Sequence, residues 1–474
     1  MTQAGIDLTR DAVSHSHGSL DAARTVMELL LGPPETRSCA VRYWDGSQDA
    51  VAAGTRPFFT LVLRSAGSLR RMLTPPTELK LAEAYIRGDV DIEGEIEYAA
   101  AIGEEVRVRM GRPGALARLV RHAVALPHDD PAERTRRRRD HLGLLGRRHS
   151  RARDRAAVRS HYDVGNDFYA LWLDERMVYS CAYFPTGQED INAAQEAKLD
   201  LLCRKLRLAP GERLLDIGCG WGGLVRFAAS RYGVDALGIT LSERQAKLAN
   251  ARIRAEGLEE SCRVEVRDYR EFPKGTVFDK VVSVGMFEHV GRSRLPTYFH
   301  EAARLTRPGG LFLNHGIVRS LGSGPMLQYL TRRALWREGA FVSRYVFPDG
   351  ELVPLDFALH CAEKAGLEAR DVETLREHYV LTLRQWVRRL EKARVRAESL
   401  VGAQTYRVWR LYMAASAHAF ETGKISLAQV LLARPDEHGH VNVARTRADI
   451  YATPGDSARA GSAASRKSSG EVAA

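Results

Sequence analysis

Residues 213–223, RLLDIGCGWGG, constrain the fold more than any other stretch. A short apolar run ends in Asp216 and breaks at once into Gly218, Gly220, Gly222 and Gly223. That pattern predicts a buried strand, then a loop whose backbone passes very close to a flat or polar partner. The spacing satisfies G-x-G-x-x-G, which alone is shared with dinucleotide-binding folds. Two details separate it from a nicotinamide site. Asp216 stands two residues before the first glycine, where a carboxylate can orient the loop and meet a cationic ligand. The second strand, DALGIT, ends in Thr240 rather than the acid that would hold a nicotinamide-nucleotide ribose.

From 213 onward strands and helices alternate: RLLDIG, LVRFAASRY, DALGIT, ERQAKLANARIRAEG, CRVEVRD, FDKVVSVGM, LPTYFHEAARLT, GGLFLNHGIV. The alternation predicts an α/β fold with a doubly wound parallel sheet. Ligands of such folds sit at the carboxyl ends of the strands, where Asp216, Thr240, Asp268, Glu288 and His315 fall. Residues 380–432 read as largely helical. Ahead of the sheet, FFTLVL and EIEYAAAIGEEV predict a smaller mixed α/β domain over 21–130. The remaining expectations are a mobile polar N-terminus over 1–20, an Arg-rich linker over 131–158, a main domain over 159–435 and a disordered tail over 436–474.

The net charge of +11 is concentrated in ERTRRRRDHLGLLGRRHSRARDRAAVR, residues 133–159. No RNA-recognition aromatic motif or zinc finger accompanies it, so nucleic acid is not expected as a partner. An anionic membrane surface or a solvated linker remains. No apolar run reaches the length of a membrane span, and the N-terminus lacks the pattern of a secretory signal. The six cysteines are scattered with no C-x-x-C pair. A reduced, cytoplasmic protein without a metal site is the expectation.

D-x-G-x-G resembles the first motif of S-adenosylmethionine (SAM)-dependent methyltransferases. SAM needs close backbone approach, a partner for its ribose and another for its adenine. Gly218, Gly220 and Gly222 can supply the first, and Thr240 and Gln245 the second. Asp268, Tyr269 and Arg270 can hold the base. Ser242 and Gln245 also read as a helix capping box, and the two roles are compatible. Three further segments carry polar groups at positions expected to be buried: HYDVGNDFYALWLDERMVYSCAYF with Cys181, VGMFEHVG with Glu288 and His289, and FLNHGIV with His315. Together they suit holding an anion and moving a proton.

In this order and spacing, VGNDFY, MVYSCAYF, LDIGCGWGG, ITLSERQ, VGMFEHVG and FLNHGIV resemble the cyclopropane-fatty-acyl-phospholipid synthase family, which includes the mycolic acid cyclopropane synthases. The likeness covers roughly residues 156–432, and the N-terminal domain resembles the extra domain of the bacterial phospholipid enzymes more loosely. It implies SAM contacts at Tyr179, Ser180, Gly218, Gly220, Thr240, Leu241, Gln245, Tyr269 and Arg270. It also implies a bicarbonate ion held by Cys181, Glu288, His315, Ile317 and, from HYVLTLRQW, Tyr379. One position departs: where some members carry a cysteine in the segment matching AASAHAF, this chain has Ser416.

The implied activity is methyl transfer to the C=C bond of an unsaturated acyl chain in a membrane phospholipid. Aromatic faces such as Tyr162, Phe168 and Tyr183 could then stabilise a cation on that chain. With bicarbonate as base, the full ligand set favours closure of a cyclopropane ring over a methylene- or methyl-branched product. Such a substrate implies peripheral contact with the inner face of the membrane, with the Arg-rich stretch as the anionic-lipid contact. A homodimer is the family expectation. A nicotinamide-dependent oxidoreductase is the distant alternative.

Overall fold

A computed structural model describes residues 8–49, 51, 56–128, 149–162, 164–320, 339–441 and 443–451. Two compact units emerge, each assembled from separate stretches of chain. The first comprises Met1–Arg147, Leu321–Asp349 and Leu383–Lys424, the second Arg148–Ser320, Gly350–Thr382 and Ile425–Ala474.

In the first unit β1 (Cys39–Arg42) runs parallel to β2 (Phe59–Leu63), which pairs antiparallel with β3 (Val90–Gly94). The helix Leu8–Leu31 buries Leu20, Ala23, Val26, Met27 and Leu30 in the core of this unit. Much of the stretch expected to be a mobile N-terminus is therefore helix. The stretch 8–19, LTRDAVSHSHGS, is mostly polar and so gives little apolar pattern to read as helix. The helix Arg394–Glu421 also belongs here. Its Arg407 donates to Asp91 at 2.9 Å, and Arg410 donates to the Tyr85 hydroxyl at 2.9 Å and the Gly94 carbonyl at 3.0 Å. A single main domain over 159–435 does not describe this packing, because contacts between residues some 320 apart leave no local pattern. Ser416 lies half-buried on this helix.

The second unit is built on a seven-stranded sheet. Its strands are β4 (Arg213–Ile217), β5 (Asp235–Thr240), β6 (Cys262–Val266), β7 (Phe278–Val284), β8 (Thr306–Arg319), β9 (Glu368–Thr374) and β10 (Ile425–Ala433), in the order β6-β5-β4-β7-β8-β10-β9. Strands β4 to β8 pair in parallel, while β10 is antiparallel to both β8 and β9. Alternate residues feed two cores. Leu214, Val282, Leu313 and Leu431 pack with helices Ile191–Leu206, Gly223–Tyr232 and Glu243–Ala255. Leu215, Val281, Phe312 and Leu432 pack with helices Leu295–Leu305 and Leu355–Lys364. Helices on both faces make the doubly wound sheet that the alternation predicts.

Two strands depart from that reading. The run ISLAQVLLA, read as the end of a helical region, is β10. Its side chains are buried on both faces, so it lacks alternation, and a short apolar run of this kind has no period that tells strand from helix. β9, EARDVET, is too polar to announce itself.

Most of the Arg-rich stretch, residues 133–148, lies outside the described residues, as does the side chain of Tyr162. The helix Arg151–Tyr162 follows. Part of the expected disordered tail is held in place. Arg207 pairs with Asp449 at 2.6 Å and Arg447 pairs with Asp371, while residues 452–474 lie outside the described residues. Among the described residues no helix is long and apolar enough to cross a membrane.

Candidate active site

The glycine loop leaves the carboxyl end of β4. Gly218, Gly220 and Gly222 have φ of 86°, 55° and 75°, a region L side chains rarely adopt. The amides of Gly218 and Cys219 both donate to the Ile239 carbonyl at 3.0 Å, which draws the loop against the end of β5. A methyl group on Gly218 would stand 2.9 Å from Cβ of Met286. Gly218→Ala is therefore expected to cost about 2 kcal/mol of stability, read by urea unfolding, and to weaken SAM binding about tenfold or more, read by calorimetry. Unchanged SAM affinity would remove this loop from cofactor binding.

Beneath the loop, Asp216 is buried and its Oδ1 has no hydrogen-bond partner. Burial pushes its carboxyl up to about 7, against the pull of the Lys198 ammonium. Thr240, at the end of β5, donates its hydroxyl to Gln245 Oε1 at 2.7 Å. The Gln245 amide is thus oriented, and its buried Nε2 is left without a partner, 4.0 Å from where a Cβ of Gly220 would lie. The Ser242 side chain accepts from the Gln245 backbone N–H, so only that half of the expected capping box forms and the Gln245 side chain stays directed at the loop. Leu241 between them is half-buried. At the end of β6, Arg270 is bound by Asp268 at 2.6 Å and Asp154 at 3.1 Å, and lies over the Tyr269 ring at 5.3 Å. Its guanidinium orients Tyr269 rather than standing open. On the opposite approach, Tyr179 stacks on His161 at 5.7 Å and meets Trp172 edge-on at 5.4 Å.

The second group of residues gathers past the end of β7 and along the neighbouring part of β8. His315 is not at the end of its own strand. It lies within β8, in register with Val284, the last residue of β7, because pairing with β10 prolongs β8 beyond it. The 3₁₀ turn Phe287–His289 packs on β8 where Gly316 leaves room. A Cβ there would come within 2.7 Å of the Phe287 ring. This close approach lets Glu288 Oε1 accept the Ile317 N–H at 2.6 Å. Glu288 Oε2 and His315 Nε2 are both buried and both lack a partner. Burial raises the Glu288 carboxyl to about 7, opposed by the Ile317 hydrogen bond, and holds His315 neutral. Cys181 is fully buried, and burial pushes its thiol far up, so it stands there as a thiol. Its Sγ lies 3.8 Å from the Leu375 carbonyl. Thr382 accepts from the Ala182 N–H at 3.0 Å and His378 from the Phe184 N–H at 3.0 Å. These bonds fix the start of the helix Arg376–Lys392, which carries Tyr379, against the Cys181 segment. Of the expected aromatic faces, Tyr183 stacks on His378 at 4.7 Å, and Phe168 is buried edge-on against Trp172.

Four residues that the sequence reading passed over complete the cluster. The helix Ile191–Leu206 turns Gln195, Lys198 and Lys205 inward, all fully buried. Gln195 Nε2 donates to the Ser180 carbonyl at 2.8 Å and Lys198 Nζ to Ser180 Oγ at 2.7 Å. Burial lowers Lys198 to about 8, with Cys181, Asp174 and Asp216 pulling it back up. Gln429, on β10, lies directly across from His315. The available signal was helical spacing, which puts Lys198 and Lys205 on the same face as Leu199, Leu202 and Leu206.

The family described as mycolic acid cyclopropane synthetase matches residues 149–430. The chain belongs to this family. It is a SAM-dependent methyltransferase, and with the family goes methylation of fatty acyl chains. A domain of unknown function (DUF7884) matches residues 26–102. A probable fatty acid methyltransferase of Pseudomonas putida is 41% identical over 413 residues, 87% of this chain and 95% of that protein. The cyclopropane-fatty-acyl-phospholipid synthase of Escherichia coli (strain K12) is 36% identical over 311 residues, 65% of this chain and 76% of that protein. Among solved structures, the mycolic acid cyclopropane synthase CmaA1 complexed with SAH and CTAB aligns with a TM-score of 0.55 at 33% identity, covering 59% of this chain and 98% of that one. The residues of this mycolic acid cyclopropane synthetase family member fit SAM: three glycines clear a cradle, and Asp216 Oδ1 and Gln245 Nε2 stand unpartnered beside it.

Proposed function

We propose that the enzyme methylates the C=C bond of an unsaturated acyl chain of a phospholipid and releases a methylene- or methyl-branched chain. The branched product is supported by the Pseudomonas putida relative, which is similar over nearly the whole chain and is named for methyl transfer, not cyclopropanation. The observation that carries the chemistry is the pair of unpartnered buried atoms, Glu288 Oε2 and His315 Nε2. Buried polar atoms without partners are rare in folded proteins and mark a place for a small polar group.

When bound, SAM would supply an electrophilic methyl group, and a bicarbonate held by Glu288, His315, Cys181 and Tyr379 would supply a base; the Ile317 N–H, expected as a fifth ligand, is taken by Glu288 Oε1. The residues do the rest. The glycine loop and Gln245 hold the donor, and Asp216 faces its positive charge. Attack by the alkene leaves a cation on the neighbouring acyl carbon, which the aromatic side chains around Tyr179 and Tyr183 shield from water. A hydride shift followed by loss of a proton from the new methyl gives the methylene branch. Loss of a proton from an adjacent chain carbon keeps the methyl and a double bond. Direct loss from the methyl closes a ring, and the presence of Cys181, Glu288, His315 and Tyr379 favours this second reading.

Methyl-deuterated SAM with vesicles of unsaturated phospholipid separates these products by mass spectrometry. A product with three deuterons and a double bond, or two deuterons and a reducible double bond, is expected. Two deuterons and no reducible double bond would replace the branched product with cyclopropane. An unaltered lipid with SAM bound would overturn the substrate.

A further inference from the structure

A polar row crosses the second unit's sheet, half-buried at Glu373 and buried at Gln429 and His315. Glu373 on β9 pairs in register with Gln429 on β10, and Gln429 pairs with His315 on β8. Lys205 enters this row from the helix Ile191–Leu206, forming an ion pair with Glu373 and lying 4.0 Å from Asp371. Its Nζ also bonds the Gln429 side chain at 2.8 Å, and the other end of that amide lies 3.2 Å from His315 Nδ1.

The chemistry of these groups allows one arrangement. An ammonium has three donors and no acceptor, so Lys205 must meet the oxygen of Gln429. The NH₂ end of Gln429 therefore faces His315 Nδ1 and donates to it. A ring nitrogen that accepts a hydrogen bond carries no proton. In a neutral imidazole the proton then sits on Nε2, the buried atom that has no protein partner. Lys205 in turn keeps its orientation because two carboxylates face it, and no water competes at a side chain with no exposure.

We propose that Gln429, oriented by Lys205, is a positioning residue that locks His315 as its Nε2–H tautomer, so that the imidazole offers the anion beside Glu288 a hydrogen-bond donor and no base. The proposal rests on the anion-assisted reading above. It assigns proton removal away from His315 and gives Glu288 and His315 complementary parts: a carboxylate that accepts and an imidazole that donates. Bicarbonate, with one O–H and two further oxygens, matches one acceptor and one donor.

The test begins with the wild-type full-length protein, labelled with [15N]histidine, with His315→Gln used to assign the resonances. A pyridine-like Nδ1 and a pyrrole-like Nε2 for residue 315 are expected. A pyrrole-like Nδ1 would overturn the proposal whatever the activity shows. Gln429→Glu places an acceptor against Nδ1 and should move the proton there. The bicarbonate concentration for half-maximal methyl transfer should then rise about tenfold or more. Gln429→Met, which removes the donor without supplying an acceptor, should fall between the two. An unchanged bicarbonate dependence in Gln429→Glu, with the 15N spectrum showing the proton moved, would overturn the positioning role. A wild type that needs no bicarbonate would strike the anion reading, while the 15N result would still decide the tautomer.

Discussion

Glu288→Gln is expected to reduce methyl transfer to unsaturated phospholipid by about a hundredfold or more, with SAM affinity retained. Glutamine keeps an oxygen to accept the Ile317 N–H, now 2.6 Å from Glu288 Oε1, so the turn over Gly316 should hold its shape. What is lost is the acceptor at Oε2. The same variant should be more stable than the wild type at pH 8. Burial raises the Glu288 carboxyl from 4.5 to about 7. The folded state thus holds this proton more tightly than the unfolded chain does. Stability from the neutral form is complete below about pH 4.5 and is lost as pH rises through about 7. Glutamine stays neutral throughout, so without SAM or bicarbonate the variant should gain about 3 kcal/mol at pH 8 and almost nothing at pH 4.5. Urea unfolding at the two pH values reads this, and turnover is read on vesicles. Undiminished turnover would remove Glu288 from the mechanism; an equal gain at both pH values would show that its charge is not what burial penalises.

The second large effect is expected from Lys198→Met. Lys198 is fully buried, donates to Ser180 Oγ at 2.7 Å and is the positive charge acting on Asp216. Without it, Asp216 has only its burial, and its carboxyl moves further above 7. At neutral pH it becomes a neutral acid, with no charge to set against the SAM sulfonium. SAM affinity should fall about tenfold to a hundredfold at pH 7, the worth of a hydrogen bond or contact to a charged group. The loss should shrink as pH is raised and Asp216 ionises. Calorimetric titration with SAM at pH 7 and pH 9 checks both statements. An equal loss at the two pH values would place the effect in Ser180 alone, and no loss would leave Lys198 a packing residue.

Local patterns carried much of this protein. The apolar run into Asp216, the glycines after it and the strand–helix alternation that follows depend on residues near one another in the chain. Periodicity and turn chemistry report such neighbours directly. The six short motifs, from VGNDFY to FLNHGIV, likewise identified the family, because each is a compact set of residue types at fixed spacing.

Other features depend on partners far away in sequence. Lys198 and Lys205 belong to no motif that would mark them in the sequence. Only the sheet packed over that helix makes them buried donors. β10 read as helix because burial on both faces erased its alternation, and that misreading hid Gln429. His315 looked like a strand-end residue, yet its place at the site comes from the end of β7 and its orientation from β10. The helix carrying Arg410 joined the first unit through hydrogen bonds to residues 85–94 that no sequence window spans. The sequence by itself determined the glycine loop, the fold class and the family, all written in short-range pattern. Tertiary structure alone decided which polar groups lose their water. Burial sets the protonation of Asp216, Glu288, Lys198 and His315, and burial is a property of residues brought together from distant parts of the chain.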